Sequence, residues 1–476
     1  MKRANEDEKL EELVEGRGAT EGKSGRTSSG RTRSRRTESA GLSRLREAVR
    51  RNKKKRLTAL LHHVTPELLE QSYYALKRRA APGVDGVTWK EYEAGRQDRL
   101  TDLHRRVHQG TYRAWPSKRT YILKEDGRKR ALGISILEDK IVQQAVKTVL
   151  EVIYEEEFRG FNYGFRPGRS QHNALDALWM GIVKRPVNWV LDADLRGFFD
   201  AIDHEWLEKM IEHRIGDRRV LNLIGRWLRA GIFEQGQWSP VQEGTPQGAV
   251  ISPLLGNIFL HYVLDLWTEA WRNRPGKGTV IIVRYADDFV VGFQNERDAQ
   301  EYRQELSARL GRFGLELNAE KTRLLEFGRW AEGNRRRRGQ GRPETFTFLG
   351  FLHICGRTRK GYYTVLRKTR GQRLRRKLKE IRQKMRRRRH KPIPEQGKWL
   401  RAVVQGYFNY QAVPGNSSAL NSFRTEVNRA WCRQLRRRSQ RHRMTWQRFR
   451  RYVDRWIPSA QILHPLPYER LSLDPR

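Results

Sequence analysis

Apolar positions along this chain switch between two periods. ILEDKIVQQAVKTVLEVIYEEEF (136–158) repeats at three- and four-residue spacing and predicts a helix. Thr65-Pro66-Glu67 reads as an N-cap, a proline at the first helical position and an acid in the first turn. That predicts a helix running through LLEQSYYALKR and broken by Ala81-Pro82-Gly83. Between about 85 and 355 short β-rich runs interrupt the helical ones: YILK (121–124) and VNWVLDADL (187–195) predict strands, and VIIVRYADDFVVGF (280–293) predicts two strands about a tight turn. From about 365 the strand signal fades. Leu374, Leu378, Ile381 and Met385 share one helix stripe in RLRRKLKEIRQKMRRRRH, and nearly all the rest there is basic. His390-Lys391-Pro392-Ile393-Pro394 ends that helix, and a second helical, Arg-rich block follows over roughly 397–455. The pattern is α+β followed by an all-helical part, without internal repeats.

Charge changes the picture more than composition does. Of 476 residues 97 are Lys or Arg and 54 Asp or Glu, a net charge of +43, while 37% are hydrophobic. The length suggests about three domains, and the apolar content suffices for their cores. Such a field attracts a polyanion, most often nucleic acid. An anionic membrane surface would also be attracted, but no apolar run approaches the ~20 residues of a spanning helix. MKRANEDEKLEELVEG lacks the apolar core of a secretory signal. Cys355 and Cys432 are the two cysteines, so neither a disulfide framework nor a four-cysteine zinc site is available, and a reducing compartment is expected. Residues 1–41 are polar and rich in Gly, Ser, Thr and Arg. They are expected to form a disordered basic arm, for which a merely solubilising tail is an equal reading.

The chemistry concentrates in two segments. Asp287 and Asp288 interrupt two apolar strands, where like charges repel and are poorly solvated. A fold keeps such a pair when a cation sits on it, and hard oxygen ligands suit Mg²⁺. A solvated hairpin turn is the bland alternative. VLDADLRGFFDAID adds Asp192, Asp194, Asp200 and Asp203. An acid ending a strand beside that hairpin makes a three-carboxylate cluster, suited to two Mg²⁺ ions about 4 Å apart in nucleotidyl transfer. Asp192 points to the same strand face as Asp194 and is its rival.

Eight blocks in order then carry a resemblance: APGVDGVTWKEY (81–92), YILKEDGRKRALGI (121–134), FNYGFRPGRSQHNAL (161–175), DLRGFFDAIDH (194–204), GTPQGAVISPLLGNIFLHYVLD (244–265), RYADDFVVGF (284–293), GLELNAEKT (314–322) and FTFLGF (346–351). From about 57 onward the chain resembles the group II intron-encoded reverse transcriptases, or maturases. The resemblance implies a right-hand polymerase, with fingers and an antiparallel-sheet palm over 42–355, a thumb/maturase domain over 356–450 and a short DNA-binding remnant over 451–476. It implies Asp194, Asp287 and Asp288 as the catalytic metal-binding triad, holding two Mg²⁺. Phe199 matches the aromatic under the incoming sugar, where a ring excludes a 2′-hydroxyl; Phe198 beside it reads as core. Lys124 and Arg130 match the cations that grip the triphosphate. Gln247 and Gly248 match the loop beside the nucleotide, and Lys321 a lysine near the centre. Asp200 and Asp203 read as structural or capping acids.

The resemblance also implies the substrates: dNTPs, an RNA template with a DNA primer, intron RNA and target DNA, with no membrane and no small-molecule cofactor. Arg373, Arg376, Lys377, Arg386, Arg387, Arg436 and Arg437 are the expected RNA contacts. Tyr407, Phe408, Tyr410 and Trp431 interleave with arginine as a stacking surface would, although helix packing explains Phe408 and Trp431 better. The chain ends at Arg476 soon after ILHPLPYERL, which matches the bacterial type lacking a C-terminal His-Asn-His nuclease, so a bacterial cytoplasm and a primer such as a nascent strand are expected. A domesticated or defence-associated enzyme of the same kind is the alternative, and a splicing cofactor with an inactive polymerase core is a third reading that the intact aspartates oppose.

Overall fold

The computed structural model describes residues 39–123, 129–240, 243–245, 248–438 and 444–472. The expected arm up to residue 38, Lys124 and Gln247 lie outside the described residues. Order begins earlier than 42: helix α1 spans Ala40–Arg51, and the Ser39 hydroxyl accepts from the Leu42 amide at 3.3 Å as its N-cap. Helix α2 (Pro66–Ala75) starts as its signal predicts, with Thr65 accepting from the Leu68 amide at 3.2 Å. It stops at Ala75 rather than at the Ala-Pro-Gly break, because Leu76 is already extended.

Among the described residues three small sheets organise the rest. Strands β1 (Ser117–Leu123) and β2 (Lys129–Ile134) join β4 (Ile232–Glu234) and β5 (Gln237–Ser239) in the order β2-β1-β4-β5. The central sheet has the order β6-β7-β3-β8, from β3 (Trp189–Asp194), β6 (Val280–Tyr285), β7 (Asp288–Phe293) and β8 (Arg323–Glu326), and every pairing in it is antiparallel. A third sheet, β11-β10-β9, holds β9 (Phe346–Phe348), β10 (Phe351–Arg357) and β11 (Tyr363–Thr369).

Alternation along the central strands sends residues to two cores. Leu191, Ala193, Phe289 and Val291 join the large core with helices α3 (Leu137–Tyr154), α5 (Ser252–Leu260) and α7 (Glu296–Gly311), while Val190, Val290 and Leu325 pack with helix α4 (Gln171–Lys184) and the third sheet. A separate core holds helices α8 (Gly371–Arg387), α9 (Ile393–Gln411), α10 (Ser417–Arg436) and α11 (Trp446–Trp456) together. In α8 the predicted stripe is the packed side: Leu378, Ile381 and Met385 are buried and Leu374 partly so.

Two expected boundaries move. A break at 355 would cut β10, whose pairing with β11 runs from Phe351 to Arg357, so the helical part starts at Gly371. A break at 451 would cut α11, whose Phe449 and Val453 belong to the helical core. The segment beyond returns to α4. Leu463 donates to Ala412 O at 3.0 Å, the His464 and His172 rings stack at 3.7 Å, and Arg470 pairs with Asp176 at 2.5 Å. Asp176 is buried and also pairs with Arg367 at 2.5 Å. The tail therefore packs on protein through these residues.

Candidate active site

The hairpin turn between β6 and β7 carries the acidic pair. Tyr285 faces Asp288 across the hairpin, and Ala286 in between adopts φ 57°. A non-glycine residue in the left-handed region needs outside support, and two contacts give it. Arg284 donates to Ala286 O at 2.9 Å. The second is Gly164, which lies so close that a Cβ there would stand 2.2 Å from the Ala286 nitrogen.

On the neighbouring strand Asp194 faces Asp288 directly. Directly paired residues of antiparallel strands project to the same face, so these two carboxylates meet at the sheet's end beside Asp287. Asp194 Oδ2 accepts from Lys321 Nζ at 2.8 Å and Asn318 Nδ2 at 3.1 Å, and the Asn318 amide donates to Asp194 O at 2.8 Å. The structure thus places Lys321 on a carboxylate of the expected triad. Asp192 faces Val290 in β7 and Arg323 in β8, 3.9 Å from the latter's guanidinium. It stands one same-face step further from the turn than Asp194, which favours Asp194 as the partner of the pair.

Electrostatics mark the cluster as short of positive charge. Burial raises the Asp287 carboxyl above its ordinary value, with the Asp194 charge adding to the rise and Arg130 and Lys321 opposing it. Asp288 is pushed up to about 7, first by burial and then by the charges of Asp287, Asp194 and Asp192. Its side chain still opens to solvent, which limits the first cause and leaves the like charges. Asp192 is pushed up to about 6 by burial, against the pull of Arg323. An all-carboxylate donor set whose mutual repulsion Lys321 and Arg130 relieve only in part fits a hard divalent cation. The described residues form no closed group of three His, Cys, Asp or Glu already set for a metal, so the donors converge on one edge without a cage.

The surrounding residues separate. Phe198 is buried in the large core, whereas Phe199 is partly exposed beside it, their rings edge-on at 5.0 Å. The chain at 243–245 wraps Phe199: the Thr245 amide donates to Phe199 O at 2.8 Å, and Gly244 sits where a Cβ would come within 2.9 Å of Phe199 O. Gly248 takes φ +112° and presses on Gly133 O of β2, so its close approach is to protein backbone. Arg130 on β2 is exposed and near enough to act on Asp287. Asp203 is an N-cap, accepting from the Trp206 amide at 2.8 Å, as its structural reading predicts.

Of the expected RNA contacts, Arg376, Arg386, Arg387, Arg436 and Arg437 are exposed. Arg373 lies over the Tyr410 ring at 5.6 Å, Lys377 pairs with Glu380 at 2.9 Å, and Arg436 donates to Met444 O at 2.9 Å. The four interleaved aromatics pack inward. Phe408 and Trp431 are buried, Tyr407 stacks on Phe423 at 3.7 Å, and Tyr410 donates to Leu349 O at 2.7 Å. A stacking platform built from them is thereby corrected to core and interface.

Sequence reasoning missed the support beneath the turn, Arg284, Asp265 and Asn257. The signal was present: an arginine inside the apolar strand VIIVRY, which must be paired if buried.

Comparison with known proteins agrees with this geometry. Residues 122–353 match the family "Reverse transcriptase (RNA-dependent DNA polymerase)". Protein YkfC of Escherichia coli K12 is 32% identical over 345 residues, which are 65% of this chain and 87% of that protein. The group II intron-encoded protein LtrA of Lactococcus lactis subsp. cremoris is 35% identical over 222 residues, 45% of this chain but 36% of LtrA. A 91 kDa protein in the cob intron of Schizosaccharomyces pombe is 39% identical over 154 residues, 32% of this chain and 19% of that protein. The aspartates that meet at the end of β3 and β7 lie within the matched polymerase segment, and the chain belongs to the group II intron-encoded reverse transcriptase/maturase family.

Proposed function

We propose that this protein binds a group II intron RNA, assists its splicing and copies it into cDNA from a DNA primer. The observation that carries the catalytic half is the pairing of Asp194 with Asp288 beside Asp287, with Lys321 on Asp194. In this reading Asp194 and Asp287 are the principal metal ligands and Asp288 completes the triad. Two Mg²⁺ ions held there would supply Lewis acidity at the primer 3′-hydroxyl and the leaving pyrophosphate. Arg130 and Lys124 grip the dNTP triphosphate, an arginine fork matching phosphate bidentately. Phe199 lies under the sugar and excludes a ribose 2′-hydroxyl. Lys321 and Asn318 hold Asp194 in one rotamer while substrate arrives. Gln247 and Gly248 border the nucleotide, Gly248 by letting its loop close on β2.

The basic faces of α8 and α10 supply the RNA contacts, with Arg376, Arg386, Arg387 and Arg437 on phosphates and little sequence readout. The helical part acts as the thumb and maturase region. Target DNA is the remaining partner. No helix among the described residues is long and apolar enough to cross a membrane. Both cysteines are free thiols, which fits the cytoplasm of a bacterium.

Cross-linking the protein in its host and sequencing the attached RNA tests the intron half. Strong enrichment of one structured intron that encloses its reading frame is expected. Cross-links scattered over cellular RNA, with no such intron, would overturn that half and favour the domesticated alternative.

A further inference from the structure

Beneath the catalytic turn lies a fully buried ion pair to which the polymerase chemistry assigns no role. Arg284 and Asp265 both have 0% side-chain exposure, and their contact is bidentate, Nε to Oδ1 at 2.7 Å and Nη2 to Oδ2 at 2.5 Å. The third guanidinium nitrogen turns away from Asp265. Nη1 donates to Ala286 O at 2.9 Å and to Asn257 Oδ1 at 3.1 Å. Asn257 in turn donates through Nδ2 to Gly164 O at 2.6 Å. One guanidinium therefore joins the strand before the turn, the turn itself, and the loop that presses on it.

Asp265 owes its position to an irregularity. Helix α5 does not run straight into helix α6 (Leu266–Arg272): five residues, His261–Asp265, form a π-turn between them. A π-turn inserts an extra residue and rotates the helix beyond it, and such turns concentrate at functional sites. Here it delivers Asp265 to Arg284.

We propose that Arg284, held by Asp265, is the positioning residue of the catalytic turn. The Ala286 carbonyl lies in the planar peptide that continues to Asp287. Fixing that oxygen fixes the plane, and with it the Cα from which the Asp287 carboxylate projects toward Asp194. Without the donor the left-handed Ala286 loses one of its two supports. The other, Gly164, meets the turn at the Ala286 nitrogen and leaves its carbonyl oxygen unheld. A lysine in place of Arg284 keeps the charge opposite Asp265 but has no fork to reach the carbonyl as well. The proposal rests on reading Asp287 as a catalytic carboxylate.

The test uses the full chain with a primer–template and Mg²⁺. Arg284→Met with Asp265→Leu replaces the pair by apolar groups of similar size, a change buried ion pairs tolerate. Expected is a cooperative melt close to the parent, an unchanged Kd for primer–template in EDTA and an unchanged dNTP KM. The kcat should fall by about 10²-fold, the scale for ~1 Å misplacement of a reacting group, and half-saturating Mg²⁺ should rise, seen also by direct calorimetric titration. A folded double variant with parental kcat would overturn the proposal. Should the double variant not fold, Arg284→Lys decides alone: a kcat-selective loss supports the proposal and parental kcat overturns it. Asp287→Asn, run beside them, separates the two readings. If it retains synthesis, the site assignment fails; if it is inactive while both Arg284 variants are fully active, the positioning role alone fails.

Discussion

Gly164→Ala is a one-methyl change at a residue that touches neither substrate nor metal in our reading, yet it should disable the enzyme. The added Cβ would stand 2.2 Å from the Ala286 nitrogen, about 1 Å inside the 3.4 Å at which ordinary contact begins, and 2.9 Å from the Tyr285 carbonyl carbon, about half that overlap. Both obstacles are backbone, so no side chain can rotate away. The loop itself is tethered, since Gly164 O accepts from Asn257 at 2.6 Å and the Gly164 amide donates to Asn162 Oδ1 at 3.3 Å. The turn bearing Asp287 must therefore move by roughly 1 Å. Overpacking of this kind costs about 1–3 kcal/mol of stability, and a 1 Å misplacement about 10²-fold in rate. Gly160→Ala is the control from the same segment, because nothing lies within 4 Å of a Cβ there. Thermal melts and single-turnover primer extension on both variants check this. Gly164→Ala with parental kcat and melting temperature would refute the claim that the loop and turn are rigidly opposed.

Phe199→Ala should let ribonucleotides be incorporated while dNTP incorporation continues, read by extension with each rNTP; unchanged discrimination would remove Phe199 from the gate. Asp176→Ala should destabilise by about 3–5 kcal/mol, since it strands the buried Arg367 guanidinium, and Arg470→Ala, on a side chain nearer solvent, by less; denaturant unfolding measures both, and equal costs would contradict the buried network. Burial lowers His172 and His464 to about 4 and His261 and His353 to about 3, from an unfolded value of 6.5. The unfolded chain takes up these four protons below about 6.5, so the four rings withdraw stability as pH falls toward 4, against the raised Asp288 and Asp192 carboxyls, which add it; NMR titration of the rings checks this, and any of the four protonating near 6.5 in the folded chain would contradict its burial as a neutral ring. Removing Arg386, Arg387 and Arg437 together should weaken RNA binding at all sequences and lower the log Kd against log salt slope by about one for each phosphate these arginines neutralise; an unchanged slope would place the RNA elsewhere.

The sequence made most of this legible where one signal sufficed. Short β-rich runs placed β3, β6 and β7, and the Thr65-Pro66-Glu67 cap placed α2. The acidic pair and Asp194 were readable because carboxylates in apolar strands need a reason. Less was legible where the cause is long-range. The third sheet exists because β9 to β11 cover α4 and the far face of the central sheet, which short FTF and FLHICGR runs do not announce. Tyr407 and Tyr410 belong to an Arg-rich helical block, as the residues of a nucleic-acid platform would, and only the packing of Phe423 and Leu349 against them shows otherwise. The return of Arg470 to Asp176 spans 294 positions, beyond any local pattern. Arg284 was visible as an anomaly in its strand, but its partner, displaced by a π-turn, was not.

The central claim, that Asp194, Asp287 and Asp288 form a nucleotidyl-transfer centre distinct from the RNA-binding surface, is tested most directly by changing Asp287 and Asp288 to Ala in the full chain. The same preparation is then assayed for cDNA synthesis and for RNA binding. Loss of detectable synthesis is expected, with RNA affinity and melting behaviour retained. Continued cDNA synthesis by the folded double variant would contradict it.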